Sequence, residues 1–157
     1  MANAMVALAN FTVATAQATV TFSSIPATPY RDLRVVINGQ ATASSNMFIS
    51  YNGDATATNY YWAWMLGNGS TATSSSANDR VFGNSQNALG VMTYDFLDFA
   101  DTNKWKTALV RSSFSSIETI AGVSRWASTA AINSIAFTAN GTTWAVGTTF
   151  EMFGIVG

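Results

Sequence analysis

Hydrophobic residues alternate with small or polar ones at a period of two along most of the chain, and Asn-Gly pairs repeatedly interrupt the pattern. Successive side chains of a strand point to opposite faces, so this spacing implies strands with one buried face, whereas a helix would need a period of 3.6. In "ATVTF", Val20 and Phe22 alternate with Thr19 and Thr21; in "RDLRVVING", Leu33, Val35 and Ile37 share a face before Asn38-Gly39. "NMFISYNG" repeats the scheme with Met47, Ile49 and Tyr51 and closes on Asn52-Gly53. Asn-Gly accepts positive φ, so each pair is expected to form a tight turn. Over residues 59–66, Tyr60, Trp62, Trp64 and Leu66 fall on one face, and Tyr61, Ala63 and Met65 on the other.

Strand-like spacing recurs near residues 80–82, 89–96, 105–114, 116–123, 132–138 and 148–155, with Asn140-Gly141 as another turn. This amounts to roughly nine or ten short strands, rich in the β-branched and aromatic residues that strands favour. Residues 67–80, "GNGSTATSSSANDR", hold too few large side chains to build a core and are expected to form a long mobile loop. The one helix-like spacing is "DFLDFAD", where Asp95, Asp98 and Asp101 recur every third residue; a strand running into a turn at Asp101-Thr102-Asn103 fits better. The expected fold is all-β, an antiparallel β-sandwich or jelly-roll-like single domain over residues 1–157, with residues 1–15 as an N-terminal arm or first strand.

Only 10% of the residues are charged, against a usual share of about 25%. The surface must therefore be coated mainly with Ser, Thr, Asn, Ala and Gly, which suits a subunit of an assembly or an extracellular protein better than a free monomer. Seven Lys and Arg residues face eight Asp and Glu residues for a formal net charge of −1, and the basic residues are scattered. No basic block can follow a phosphate backbone, so nucleic acid is not an expected partner. The Ala-rich N-terminus lacks the basic segment of a secretory signal, since the first positive side chain is Arg31. No apolar run reaches the roughly 18 residues of a membrane-spanning helix, so no membrane insertion is expected.

The chain contains neither Cys nor His, which removes disulfides, thiolate metal sites and the usual imidazole base. An enzyme built from it would rely on carboxylates, Lys, Tyr and Ser. Asp95, Asp98 and Glu118 could cleave a glycoside only if two of them faced each other at about 5–9.5 Å; otherwise they are solvated strand ends. "NGDAT" around Asp54 supplies one carboxylate, whereas a calcium loop gathers several at fixed spacing, so a turn is the expectation there. The N-x-[ST] triplets at Asn10, Asn68 and Asn140 are what chance produces in a chain this rich in Asn, Ser and Thr. No cofactor, metal or catalytic group is expected.

The rings of "YNGDATATNYYWAWML" carry more weight. Each can bury ~150–250 Å², a gross ~4–6 kcal/mol at ~25 cal/mol per Å². Five of them together exceed the ~5–15 kcal/mol net stability of a domain, so they cannot all stand in water. The 59–66 strand is apolar on both sides. One side should meet the sandwich core and the other a loop, the N-terminal arm or another chain. A subunit interface fits aromatic and Met enrichment; a sugar platform would also need convergent polar groups, which no spacing supplies.

The run "RWASTAAINSIAFTANGTTWAVGTTFEMFGI" resembles the C-terminal pattern of small structural proteins of tailed bacteriophages, through Trp126, Ser128, Thr129, Ala131 and Ile132, then Gly147, Thr148, Gly154 and Ile155. "FSSIPATPYRDLRVVING" and "FISYNGDATATNYYW" are similar to the same group; residues 67–90 match nothing in it. The resemblance implies a non-enzymatic virion component. The chain carries no repetitive shaft and reads as one short complete domain, which favours a capsid decoration (cement) protein on the phage head over a tail fibre. Its implied partners are copies of itself, as a homotrimer, and the major capsid protein. The apolar residues Met5, Leu8 and Phe11 of the arm and the face of Tyr60, Trp62 and Trp64 are the candidate interface. The alternative is a tail fibre or a tail-associated protein that binds a receptor or carbohydrate.

Overall fold

A computed structural model describes residues 4–114 and 118–157. The chain forms twelve strands among these residues: β1 (Met5–Thr12), β2 (Thr19–Phe22), β3 (Tyr30–Gly39), β4 (Ser45–Tyr51), β5 (Tyr60–Gly67), β6 (Ala72–Ala77), β7 (Val81–Ser85), β8 (Gly90–Leu97), β9 (Lys106–Phe114), β10 (Thr119–Trp126), β11 (Ile135–Ala139) and β12 (Thr149–Val156). They make two antiparallel sheets, one of eight strands in the order β1-β12-β3-β8-β9-β10-β5-β6 and one of four in the order β2-β11-β4-β7. The expected sandwich is therefore the architecture observed.

The strand order is that of a jelly roll with additions. β1-β12-β3-β8 faces β2-β11-β4-β7, and among these eight strands the chain changes sheet at every step except that from β4 to β7, which are neighbours in the narrow sheet, the double Greek key of that architecture. Two hairpins are inserted into it. β5–β6 leaves between β4 and β7, β9–β10 leaves between β8 and β11, and the two pair through β10 and β5 to widen one sheet only.

Alternation along the strands builds the core. Leu33, Val35 and Ile37 of β3, Met47, Ile49 and Tyr51 of β4, and Met92, Tyr94 and Phe96 of β8 are all buried, facing one another across the sandwich. The Tyr94 hydroxyl donates to the Phe82 carbonyl at 3.0 Å, and burial pushes its pKa well above the usual 10. Gly83 makes room for it, since a Cβ there would lie 2.8 Å from the hydroxyl.

Several sequence expectations are corrected. Asn38-Gly39 does not close a hairpin: it ends β3, and the chain leaves for the narrow sheet. Gly39 is needed there because its φ is 148° and a Cβ would sit 2.8 Å from the Thr148 backbone. Asn52-Gly53 is a tight turn, with φ of 52° and 74° and the Asp54 N–H donating to Tyr51 at 2.9 Å, but it too sends the chain to the other sheet. Residues 72–77, expected in a loop, form the edge strand β6. Backbone pairing with β5 makes that strand, and Ser and Ala side chains leave no apolar signal to announce it. Of the two expectations for the N-terminus, arm or first strand, the second is met: β1 is hydrogen-bonded along β12; residues 1–3 of that segment and 116–117 of an expected strand lie outside the described residues.

Lys106 is 2% exposed, an unusual place for an ammonium group. Its Nζ donates to the backbone carbonyls of Asp101, Lys104 and Thr129, tying the β8–β9 loop to the segment after β10. Replacing Lys106 by Met keeps the length and removes the ammonium donor that the three carbonyls share. We expect a loss of about 1–3 kcal/mol in urea unfolding, with a native far-UV circular dichroism spectrum below the transition.

Candidate interaction surface

The outward face of the wide sheet is set by register, because residues directly opposite in neighbouring strands share a face. One row across it runs Phe153, Arg34, Asp95, Leu109, Val123, Ala63. The next row runs Glu151, Val36, Thr93, Arg111, Ala121, Met65. A solvated sheet face is ordinarily polar; here Met65 is 66% exposed, Tyr61 38% and Val123 37%. Over β10, β5 and β6 these side chains line an open groove of about 620 Å³, bounded by Ser74 and Ser76. A second hollow of about 290 Å³ lies at β1 and β12, between Leu8, Asn10, Glu151 and Phe153.

Charges on this face are few and specifically arranged. Arg34 grips Asp95 with two hydrogen bonds, of 2.6 and 3.1 Å, across β3 and β8. At the mouth of the groove the Arg125 guanidinium lies between two rings, 4.7 Å from the Trp105 centroid and 5.8 Å from that of Tyr61. Among the described residues, Arg111, Arg125 and Glu151 take part in no ion pair.

The six residues singled out from the sequence are not brought together. Tyr60 and Trp62 are 2% and 8% exposed and belong to the core, so they are not on an accessible face. Trp64 is half-buried and stacked on Trp62 at 5.9 Å with planes 4° apart. The two-sidedness of β5 is observed, but the side left open is Tyr61, Ala63 and Met65. The first strand is divided by a bulge at Leu8: Met5 pairs with Ile155 on the outward face, whereas Phe11 pairs with the buried Phe150 and points to the inner side. Leu109, Arg111, Val123 and Glu151 were missed. The alternation of Ala121, Val123 and Arg125 carried a signal for one of them; the adjacency of the four requires the strand order.

The carboxylates are engaged elsewhere. Asp98 follows β8, whereas Glu118 lies beside Phe114, which is paired with Gly90 at the strand's other end. The length of β8 puts them roughly 23 Å apart at ~3.3 Å per residue, too far for a glycosidase pair. Asp95 is held by Arg34, and Asp98 and Asp101 by Lys104. Among the described residues no three acidic side chains converge as metal ligands. Asp54 organises its turn, accepting from Trp126 Nε1 at 2.8 Å, Asn59 Nδ2 at 2.8 Å and the Thr56 N–H at 2.9 Å. Partial burial alone would raise its pKa, but these donors outweigh it and bring the carboxyl down to about 2.

No protein-family model and no curated protein matches the chain. Among solved structures it is similar to SCP-B, a member of the eqolisin family of peptidases in complex with the tripeptide Ala-Ile-His, at 6% identity and a TM-score of 0.24, over 89% of this chain and 65% of that one. It is also similar to an aerolysin-like protein of Bombina maxima, at 9% identity and a TM-score of 0.11, over 92% of each chain. Neither TM-score is high enough to indicate a common fold.

Because the folded Asp54 carboxyl titrates below its ordinary value of 3.8, it contributes stability above that pH that is lost as the pH falls toward about 2. Asp54→Asn should lower the urea midpoint at neutral pH and flatten its decline over that acid window. An unchanged acid limb would show that Asp54 does not govern it.

Proposed function

We propose that the protein is a non-enzymatic virion structural protein, a capsid decoration (cement) protein that stabilises a phage head. The observation that carries this reading is the outward face of the wide sheet, where Met65, Tyr61, Val123 and Leu97 are exposed on a chain with few charges. Contiguous apolar surface of this kind marks a contact with other macromolecules. Jelly rolls occur in viral capsid domains, and also in lectins and cupins, so the architecture agrees with the reading without singling it out. The resemblance in the C-terminal third supplies the virion context, with a homotrimer and the major capsid protein as partners. The stabilisation would follow from mass action: a ligand of the assembled shell alone favours it by its binding free energy, repeated at each copy.

A tail-associated carbohydrate-binding role is the second reading, and one observation favours it. Trp105 is 51% exposed beside Arg125, an aromatic platform next to hydrogen-bond donors. The two readings separate experimentally. Re-adding the purified protein to stripped heads should restore their heat resistance, with many copies located on the head by image reconstruction. Glycan binding lost in Trp105→Ala, with few copies found on the tail, would overturn the cement reading.

A further inference from the structure

Four charges on the outward face of the wide sheet, Arg34, Asp95, Arg111 and Glu151, are placed symmetrically about a line between β3 and β8. Arg34 and Asp95 stand on either side of that line and bind each other. One strand further out, in the same row, Phe153 on β12 mirrors Leu109 on β9. In the neighbouring row Glu151 on β12 mirrors Arg111 on β9, an acid opposite a base. Both are exposed, and three strand spacings of ~4.8 Å, roughly 14 Å, separate them within one chain. They cannot readily satisfy each other there.

A two-fold axis parallel to the strands along that line would bring a second copy's face onto this one. Each residue then meets its mirror position: Glu151 meets Arg111, Phe153 meets Leu109, and Arg34 meets Asp95. Each of these three oppositions is complementary in charge or in apolar character, and between them Val36 meets Thr93. We propose that the outward face of the wide sheet pairs with the same face of a second copy of this chain about such a two-fold axis. The contact is isologous, so each complementary pair is made twice, and it packs two sheets face to face about 10 Å apart. It covers Phe153, Leu109 and Val123, while β5 and β6 lie beyond the second copy's β1, and it joins the two Arg34–Asp95 pairs into a ring of alternating charges. The proposal does not rest on the virion reading: trimers on a shell could use other surfaces and be linked through this one.

The test uses the full chain alone in solution. Analytical ultracentrifugation over a concentration series should give a species with an even number of chains, weakened by added salt. Arg111→Glu and Glu151→Arg, both at exposed positions, should each weaken association by about tenfold or more. The double charge-swapped protein should regain most of it. A chain that stays monomeric at high concentration overturns the proposal, as does an odd-numbered assembly. So does association that ignores both reversals, or one that the single reversals weaken and the double swap does not recover. None of these outcomes depends on where the protein sits on a particle.

Discussion

A continuous series of ring contacts joins the two sheets, and the placement of nearly everything else follows from it. It begins at Trp144, edge-on to Phe150 at 5.1 Å, and passes through Phe137 to Tyr94 and Phe96. Tyr51 continues it at 5.9 Å from Phe96, and Trp126 and Tyr60 lie 5.4 and 5.8 Å beyond. The rings come from both sheets in alternation. Each contact contributes ~0.5–1.5 kcal/mol beyond the area it buries, and the polar atoms of the rings are satisfied inside: Trp144 Nε1 donates to the Phe137 carbonyl and Trp126 Nε1 to Asp54. The series thereby sets the inward face of the strands that carry it, β4, β5, β8, β10, β11 and β12.

The unequal width of the sheets is the second constraint. Four strands cannot cover eight. The narrow sheet lies over the jelly-roll half, while the inserted hairpins carry their own bulk: Trp62 and Trp64 stack on the inner side of β5, and Gly122 in β10 accommodates them, since a Cβ there would sit 2.9 Å from that of Trp64. The outer edges differ in kind. β1 is interrupted by a bulge, a device that discourages strand addition, whereas β6 is regular, uncharged and exposed throughout. What the extension adds is area on the outward face, and with it the groove beside Tyr61 and Met65.

Much of the fold could be read from the alternation of side chains. The inward positions of β3, β4 and β8 were legible because period two is a direct image of strand geometry, and Asn52-Gly53 because few residues other than Asn and Gly accept two successive positive φ values. β6 was not legible, because a strand made of Ser, Thr and Ala owes its form to the neighbour that binds its backbone. Nor was the destination of Asn38-Gly39, where the backbone bends toward the other sheet and the close approach of Thr148 excludes a side chain.

The candidate surface divides along the same line. Periodicity along β5 separated Tyr60, Trp62 and Trp64 from Tyr61, Ala63 and Met65, but both sets are aromatic or apolar, and local pattern holds no information about which one another sheet will cover. The sequence alone determined that the chain would form strands with buried faces, that its surface would carry few charges, and that its rings would exceed what water tolerates. Only the tertiary structure decided that Tyr60 and Trp62 are core, and that Glu151, Arg34, Asp95 and Arg111 lie on one face. Those positions are far apart in the chain, and they become neighbours through the hydrogen-bonded order of β12, β3, β8 and β9, which is a property of the closed sandwich rather than of any segment.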